Sequence, residues 1–276
     1  MGMQHNSSPS SAVSGGCSVA SLESRELRDD DYTDHLSVSE RAKYMNLPSQ
    51  NRKGEWLAGR LAAKYLFLNR LGQSQGTQAE QWSPTLSKLS SAALRAFSPW
   101  MYQQVEVVTK GGKPGLSWCG QARPESISFS HSGSVSCASI ALGTPTVIDL
   151  ETTGDRVGAF YRNTFTEAER SWAAREADGD ATKANWFFTL LWTMKESALK
   201  LGWLNSLWNL PRIEIAGLPG AKNLGPLWYG KTAGNDFAVF TVSVIEHCRV
   251  MKVRVAVTGT RNFILTVMNP SGGVVK

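Results

Sequence analysis

The stretch that most restricts this chain is Asn185–Trp203, NWFFTLLWTMKESALKLGW. Trp186, Phe187, Leu190, Leu191, Met194, Ala198 and Leu201 recur at helical spacing and build one wide apolar face. Lys195, Glu196 and Lys200 are set into this body. Glu196 and Lys200 are four residues apart, so they share a helix face in the order that favours an ion pair. Taken alone, that pair is a solvated surface contact worth a few tenths of a kcal/mol. Its other role is as part of a carboxylate set with Asp149 and Glu151.

Length and charge bound the possibilities. The 276 residues allow one large domain or two small ones. A formal charge of +6 suits an acidic partner or a polyphosphate ligand, but it is not the dense basic load of a nucleic-acid binder. Cys17, Cys119, Cys137 and Cys248 form no C-x-x-C pair, so reduced thiols in a cytoplasmic protein are expected rather than a zinc site or a disulfide framework. No apolar run of about 18 residues predicts a membrane span. The Ser- and Gly-rich start has no apolar run of the signal-peptide kind, and Asn6 spoils a myristoylation start.

The pattern along the chain predicts a loose N-terminal extension over residues 1–35, then an N-terminal half over 36–145. A C-terminal half follows over 146–262, and a tail over 263–276. Ser37 or Ser39 caps a helix over Glu40–Leu47, and a longer helix covers Asn51–Leu71 with Gly59 inside it, packed close to a neighbour. Leu86–Ala96 reads as a short helix. Val105–Val108, Ile127–Ser130, Val135–Leu142 and Thr146–Glu151 read as strands, the last three as an antiparallel meander. Thr166 and Glu169 form a capping box that opens a helix over Thr166–Ala177. After Pro211 the strands Arg212–Ala216, Leu227–Tyr229, Phe237–Val244 and Val250–Val257 are expected. A β-rich, helix-bearing block thus recurs on either side of residue 145, without an internal sequence repeat.

Four clusters carry chemistry. On a strand, Asp149 and Glu151 share one face and Ile148 and Leu150 the other. Two carboxylates roughly 6–7 Å apart repel by about 2–3 kcal/mol at an effective dielectric near 20, which a Lys, an Arg or a metal must offset unless the strand end is solvated. Glu196 facing that strand makes three oxygen ligands, a set that suits Mg²⁺, with Lys200 as a point charge for a phosphate. Ser130 and His131 lie in S-F-S-H-S-G without a nucleophile elbow, and read as phosphate donors beside a tight turn. Lys113-Pro114, on a turn flanked by glycines, can bind an anion. Arg41, Lys43, Arg52, Lys53, Arg60 and Lys64 add positive charge to the first two helices; about half are expected to be only solvated faces.

The order K-G-G-K-P-G-L, S-I-S-F-S-H-S-G, T-V-I-D-L-E, F-T-E-A-E-R and W-T-M-K-E-S-A-L-K-L-G-W closely resembles the 4′-phosphopantetheinyl transferases, over about residues 36–260. The length resembles the Sfp-type group, in which one chain carries two similar halves. The resemblance implies an α+β fold in which two similar α/β halves form a pseudo-twofold monomer, with the active site at their interface. It implies transfer of the phosphopantetheine arm from coenzyme A to a serine of an apo acyl or peptidyl carrier protein, with release of 3′,5′-ADP. Asp149, Glu151 and Glu196 are then Mg²⁺ ligands, with Glu196 also the base and Lys200 on the pyrophosphate. Lys113, Pro114, Ser130 and His131 border the coenzyme, helped by Arg41, Lys43 or Arg52. Thr146-Val147 stands where the family usually has Gly before the I/V-D motif. A Mg²⁺-dependent phosphohydrolase or an inactive carrier-binding homologue are the other readings. No nucleic-acid or membrane partner is expected.

Overall fold

The long apolar helix forms where its spacing places it. Asp180 caps it, its Oδ1 accepting from the N–H groups of Thr182 and Lys183 at 2.9 and 3.0 Å, and the helix runs Ala181–Lys200. Gly202, in the left-handed region at φ +80°, ends its last turn. The structure, a computed structural model, describes residues 17–27, 32–72, 84–143, 145–154, 156, 158–202, 207–220, 224, 238–246, 249–259 and 263–270.

In chain order the elements are β1 (Cys17–Glu23), α1 (Val38–Met45), α2 (Gln50–Gly72), β2 (Thr85–Lys88), α3 (Ser91–Leu94) and α4 (Pro99–Gln104). Then come β3 (Val105–Lys110), β4 (Lys113–Trp118), β5 (Gln121–Ala122), β6 (Ser126–Ser132), β7 (Val135–Ala141) and β8 (Val147–Thr152). The rest are α5 (Gly158–Thr164), α6 (Glu167–Ala177), α7 (Ala181–Lys200), β9 (Ile213–Ala216), β10 (Ala238–Glu246), β11 (Arg249–Gly259) and β12 (Phe263–Pro270). The sheets have strand orders β2-β1-β7-β6, β8-β12-β11-β10-β9 and β3-β4-β5.

Alternation along the strands gives the two larger sheets two apolar faces each. Ala20, Leu22, Ala138 and Ile140 pack with Leu57, Leu61 and Leu68 of α2. Val255, Val257, Ile264 and Met268 pack with Trp186, Leu190, Leu191 and Met194 of α7. Cys17, Val19, Cys137 and Ala141 of the first sheet meet Ile148, Leu150, Leu265 and Val267 of the second in a cluster between the sheets. The fold is therefore mixed α+β, built from two similar halves joined back to back.

The likeness of the halves is visible in one polar device that occurs twice. Ser37 and Glu40 close a capping box on α1, and Thr166 and Glu169 close one on α6. Each glutamate then pairs with a fully buried lysine of the long helix, Lys64 or Lys195. Its other oxygen accepts a strand N–H, from Val107 at 3.0 Å or from Ile215 at 2.8 Å. Each lysine also donates to the carbonyl two residues before the cap, His35 or Thr164. It donates as well to the carbonyl five residues before that strand residue, Tyr102 or Leu210. Burial pushes the pKa of both lysines down, and the partner carboxylate pulls it back up.

The halves meet along a seam of serines. Ser126, Ser128, Ser130 and Ser132 alternate along β6, and each hydroxyl accepts an N–H 20 residues on, from Thr146, Ile148, Leu150 and Thr152, at 2.9–3.3 Å. β8 is the edge strand of its sheet, so these side chains satisfy donors that no neighbouring strand reaches.

Several expectations change. Cys17–Glu23 does not belong to a loose extension: it is β1, paired with β2 and β7 and buried along most of its length. Its Cys17, Val19, Ala20 and Leu22 supply the apolar signal, and they lie beside serines that hide it. The expected tail from residue 263 is in part β12, a central strand between β8 and β11. Leu86–Ala96 splits into β2 and the short α3. The strand at 146–151 does not continue the meander of β6 and β7; it starts the second sheet. The strand expected at Leu227–Tyr229 lies outside the described residues.

Two stability outcomes are expected in urea denaturation. Lys195→Met, which strands the buried Glu169 carboxylate, lowers stability by about 3–5 kcal/mol. Ser128→Ala, which leaves the buried Ile148 N–H unpaired, lowers it by about 1–3 kcal/mol. Changes within error of zero contradict these assignments.

Candidate active site at the junction of the halves

β8 delivers its acids as alternation requires. Ile148 and Leu150 point into the cluster between the sheets, and Asp149 and Glu151 point toward α7. From α7, Glu196 and Lys200 reach the same place, and all four line one pocket of about 410 Å³. α2 and β6 close it from the other half with Arg52, Glu55, Trp56, Arg60, Ser130 and His131. A second pocket, of about 470 Å³, is lined by Lys113, Pro114, Thr109, Val147 and Leu201. The two share Arg60, Phe129 and Lys200 and form one cleft with an acidic and a cationic arm.

Asp149 is held hard. Its Oδ1 accepts from Lys200 Nζ at 2.7 Å and from the Ser130 hydroxyl at 3.0 Å. Its Oδ2 is buried without a hydrogen-bond partner among the described residues. Burial pushes its pKa up, against the pull of Lys200. Glu196 is pushed up to about 7, first by burial and then by the charge of Asp149, with Lys200 pulling it back. Glu151 is engaged on both oxygens, by Arg156 Nη2 at 3.3 Å and Trp192 Nε1 at 3.2 Å.

Lys200 pairs with Asp149, not with Glu196 as the helix spacing predicts. Its Nζ also donates to the carbonyls of Ile148 at 2.9 Å and Phe129 at 3.2 Å. All three ammonium protons are therefore spent within the chain, and the group bridges the seam between the halves. Ser130 likewise departs from expectation. Its one hydroxyl proton goes to Asp149 and its lone pair takes the Leu150 N–H, so the hydroxyl orients the acid rather than offering itself to a phosphate.

The cationic arm holds Lys113 where α7 ends. A Cβ added at Gly202 would lie 3.1 Å from Lys113 Nζ, so the glycine gives the ammonium room beside the helix C-terminus, where a cation is favoured. Arg60 lies with its guanidinium 3.5 Å from the Trp56 ring centroid and 5.9 Å from that of Phe129, and its Nε is buried without a hydrogen-bond partner among the described residues. Burial lowers its pKa to about 10. At the mouth, Arg52 Nη1 lies 2.6 Å from His131 Nε2, and Glu55 Oε2 lies 3.3 Å from Arg52 and 3.1 Å from His131.

The structure thus brings together Asp149, Glu151, Glu196, Lys200, Ser130, His131, Arg52, Lys113 and Pro114. Arg41 is not among them. It pairs with Asp34 and lines a separate hollow with Leu36, Val38 and Met45. Lys43 is exposed and lines neither arm. Among the N-terminal basic residues, Arg52 is thereby the one of the three that faces the cleft. Glu55, Trp56, Arg156 and Trp192 join the site without having been expected there, and Arg60, expected only as one of six basic residues on the first two helices, lines both arms. Arg52, Trp56 and Arg60 follow at intervals of four on α2, a one-face stripe that was readable as a signal.

The acids fit a hard, oxygen-preferring cation in kind: Asp149 presents an orphaned buried oxygen, and Glu196 is disfavoured as an anion by burial first and then by the charge of Asp149. In this arrangement, among the described residues, no three His, Cys, Asp or Glu side chains are gathered closely enough to hold one.

Residues 148–223 match the family model of the 4′-phosphopantetheinyl transferase superfamily. The matched segment contains Asp149, Glu151, Glu196 and Lys200. No curated protein matches the chain. No helix among the described residues is long and apolar enough to cross a membrane.

An unfolded glutamate titrates near 4.5 and the folded Glu196 near 7, so the folded state binds the proton more tightly. The stability this contributes is complete below pH 4.5 and is lost as pH rises through 7. With chelator present, Glu196→Gln is expected to flatten the fall in Tm between about pH 5 and 8. Identical pH profiles for variant and parent contradict the shift.

Proposed function

We propose that the protein transfers the phosphopantetheine arm of coenzyme A to a serine of an apo acyl or peptidyl carrier protein. The observation that carries this reading is the cleft at the junction of the halves, with acids at one arm and cations at the other. The superfamily match over 148–223, which spans all three acids and Lys200, supports it independently.

In this reading the coenzyme runs along the cationic arm and reaches the mouth of the acidic one. Lys113 and Arg60 hold the pyrophosphate, and Arg52 and His131 hold a further phosphate at the mouth. Arg60 suits this because its charge is already stripped of water, so an anion meets it at little further desolvation cost. Lys200 adds its charge from the seam. Asp149, Glu196 and Glu151 would hold Mg²⁺. Bound there, the ion would neutralise charge on the pyrophosphate and orient it for in-line attack.

The chain's own residues then do the following. Glu196, as carboxylate, takes the proton from the carrier serine hydroxyl, a poor nucleophile at neutral pH. The serine oxygen bonds to the β-phosphorus as the bond to the leaving phosphate oxygen breaks, and 3′,5′-ADP departs. With Mg²⁺ on the same acids, the Glu196 pKa would be drawn below its metal-free value of about 7 and the side chain kept ionised. Ser130 and Lys200 keep Asp149 fixed throughout. The net charge of +6 favours encounter with an acidic carrier through steering.

The test is mass spectrometry of several unrelated apo carriers incubated with coenzyme A, Mg²⁺ and the protein. A phosphopantetheine adduct on the carrier serine is expected, and Glu196→Gln should reduce its rate by about 100-fold or more while leaving the fold intact. No adduct on any carrier, with phosphate release from a nucleotide instead, sinks the reading in favour of a hydrolase.

A further inference from the structure

Asp149 and Glu151 sit on one strand face in opposite conditions. Asp149 keeps a buried oxygen with no hydrogen-bond partner among the described residues. Glu151 has both oxygens engaged, Oε2 by the charged Arg156 and Oε1 by the neutral Trp192 indole. Arg156 is also placed on two rings, its guanidinium 4.8 Å from the Phe160 centroid and 5.4 Å from the Trp192 centroid. Its side chain is 28% exposed. The guanidinium is therefore held by a half-buried aromatic pair as well as by the carboxylate, and that ring contact remains as a support should it leave the carboxylate. Its charge is also felt at Glu196, so it acts on two of the three acids.

We propose that Arg156 is the resident counter-ion of Glu151, filling the charge role of the divalent cation in the metal-free protein and giving way when that cation binds. The inference rests on the metal reading under Proposed function. Three carboxylates in a partly buried cleft repel one another, and Lys200 and Arg156 offset two of the three charges. The same positive charge on Arg156 opposes a divalent ion, so binding the ion means moving the guanidinium off Oε2 or sharing the carboxylate with it. Trp192 carries no charge and can stay, keeping Glu151 aimed through Oε1. This explains why Glu151 is satisfied while Asp149 Oδ2 is left open: one half of the acid set is held by a removable partner, the other is kept waiting.

The probe is Mn²⁺ alone, titrated into the full chain without coenzyme and followed by the EPR signal of the free ion. The parent is expected to bind Mn²⁺, and Arg156→Met to bind it about tenfold more tightly because one opposing charge is gone. Arg156→Lys keeps the charge and should stay within about threefold of the parent. Arg156→Gln, which keeps a neutral donor toward Glu151, serves if the Met variant does not fold, and it too should bind more tightly. Equal or weaker binding by folded Met or Gln variants overturns the counter-ion role and leaves the metal reading standing. No Mn²⁺ bound by the parent or any variant overturns the metal reading and this inference with it.

Discussion

The structure depends on how one exposed strand edge is closed. β8 carries the acids, and it lies at the edge of its sheet. Its unpaired N–H groups would otherwise be open to water or to a foreign strand. Four serines of β6 take those donors, and Lys200 takes the Ile148 carbonyl and reaches across to that of Phe129. The seam that joins the halves is thus made of side chains rather than of a backbone ladder. It also sets the site, because two of its members, Ser130 and Lys200, are the groups that fix Asp149.

This gives Lys200 and the buried lysines different parts in one scheme. Lys64 and Lys195 are sealed inside their own halves, each locked to a capping-box glutamate and to backbone carbonyls. They hold the long helix of each half in register with its edge strand. Lys200, one turn beyond Lys195's neighbour Glu196, emerges at the junction instead. The helix therefore uses a single face change to pass from a structural lysine to an acid and a cation that share a cleft with the other half.

Much of this was legible in the residues. The period of Trp186, Phe187, Leu190, Leu191 and Met194 placed α7, and strand alternation put Asp149 and Glu151 on its side. Two kinds of feature were not legible. β1 hides because its apolar residues are mixed with serines, and only its pairing with β7 and β2 makes it a strand; Phe263–Met268 is an apolar, β-prone run that was readable as a strand, and only its central place between β8 and β11 was not. The partners of polar groups hide for the same reason. Helix spacing offers Lys200 to Glu196, but the seam offers it Asp149 and two carbonyls together, and three acceptors outweigh one. The repeat between the halves was invisible as sequence because only a cap, a glutamate, a lysine and backbone atoms recur.

The central claim is that the cationic arm of the cleft receives coenzyme A. Isothermal titration of coenzyme A into the parent, Arg60→Met, Lys113→Met and Arg41→Met tests it most directly. The account predicts binding by the parent, a loss of about tenfold or more for each cleft variant, and unchanged affinity for Arg41→Met, whose side chain lies outside the cleft. No binding by the parent, or equal affinity for all four proteins, would contradict it.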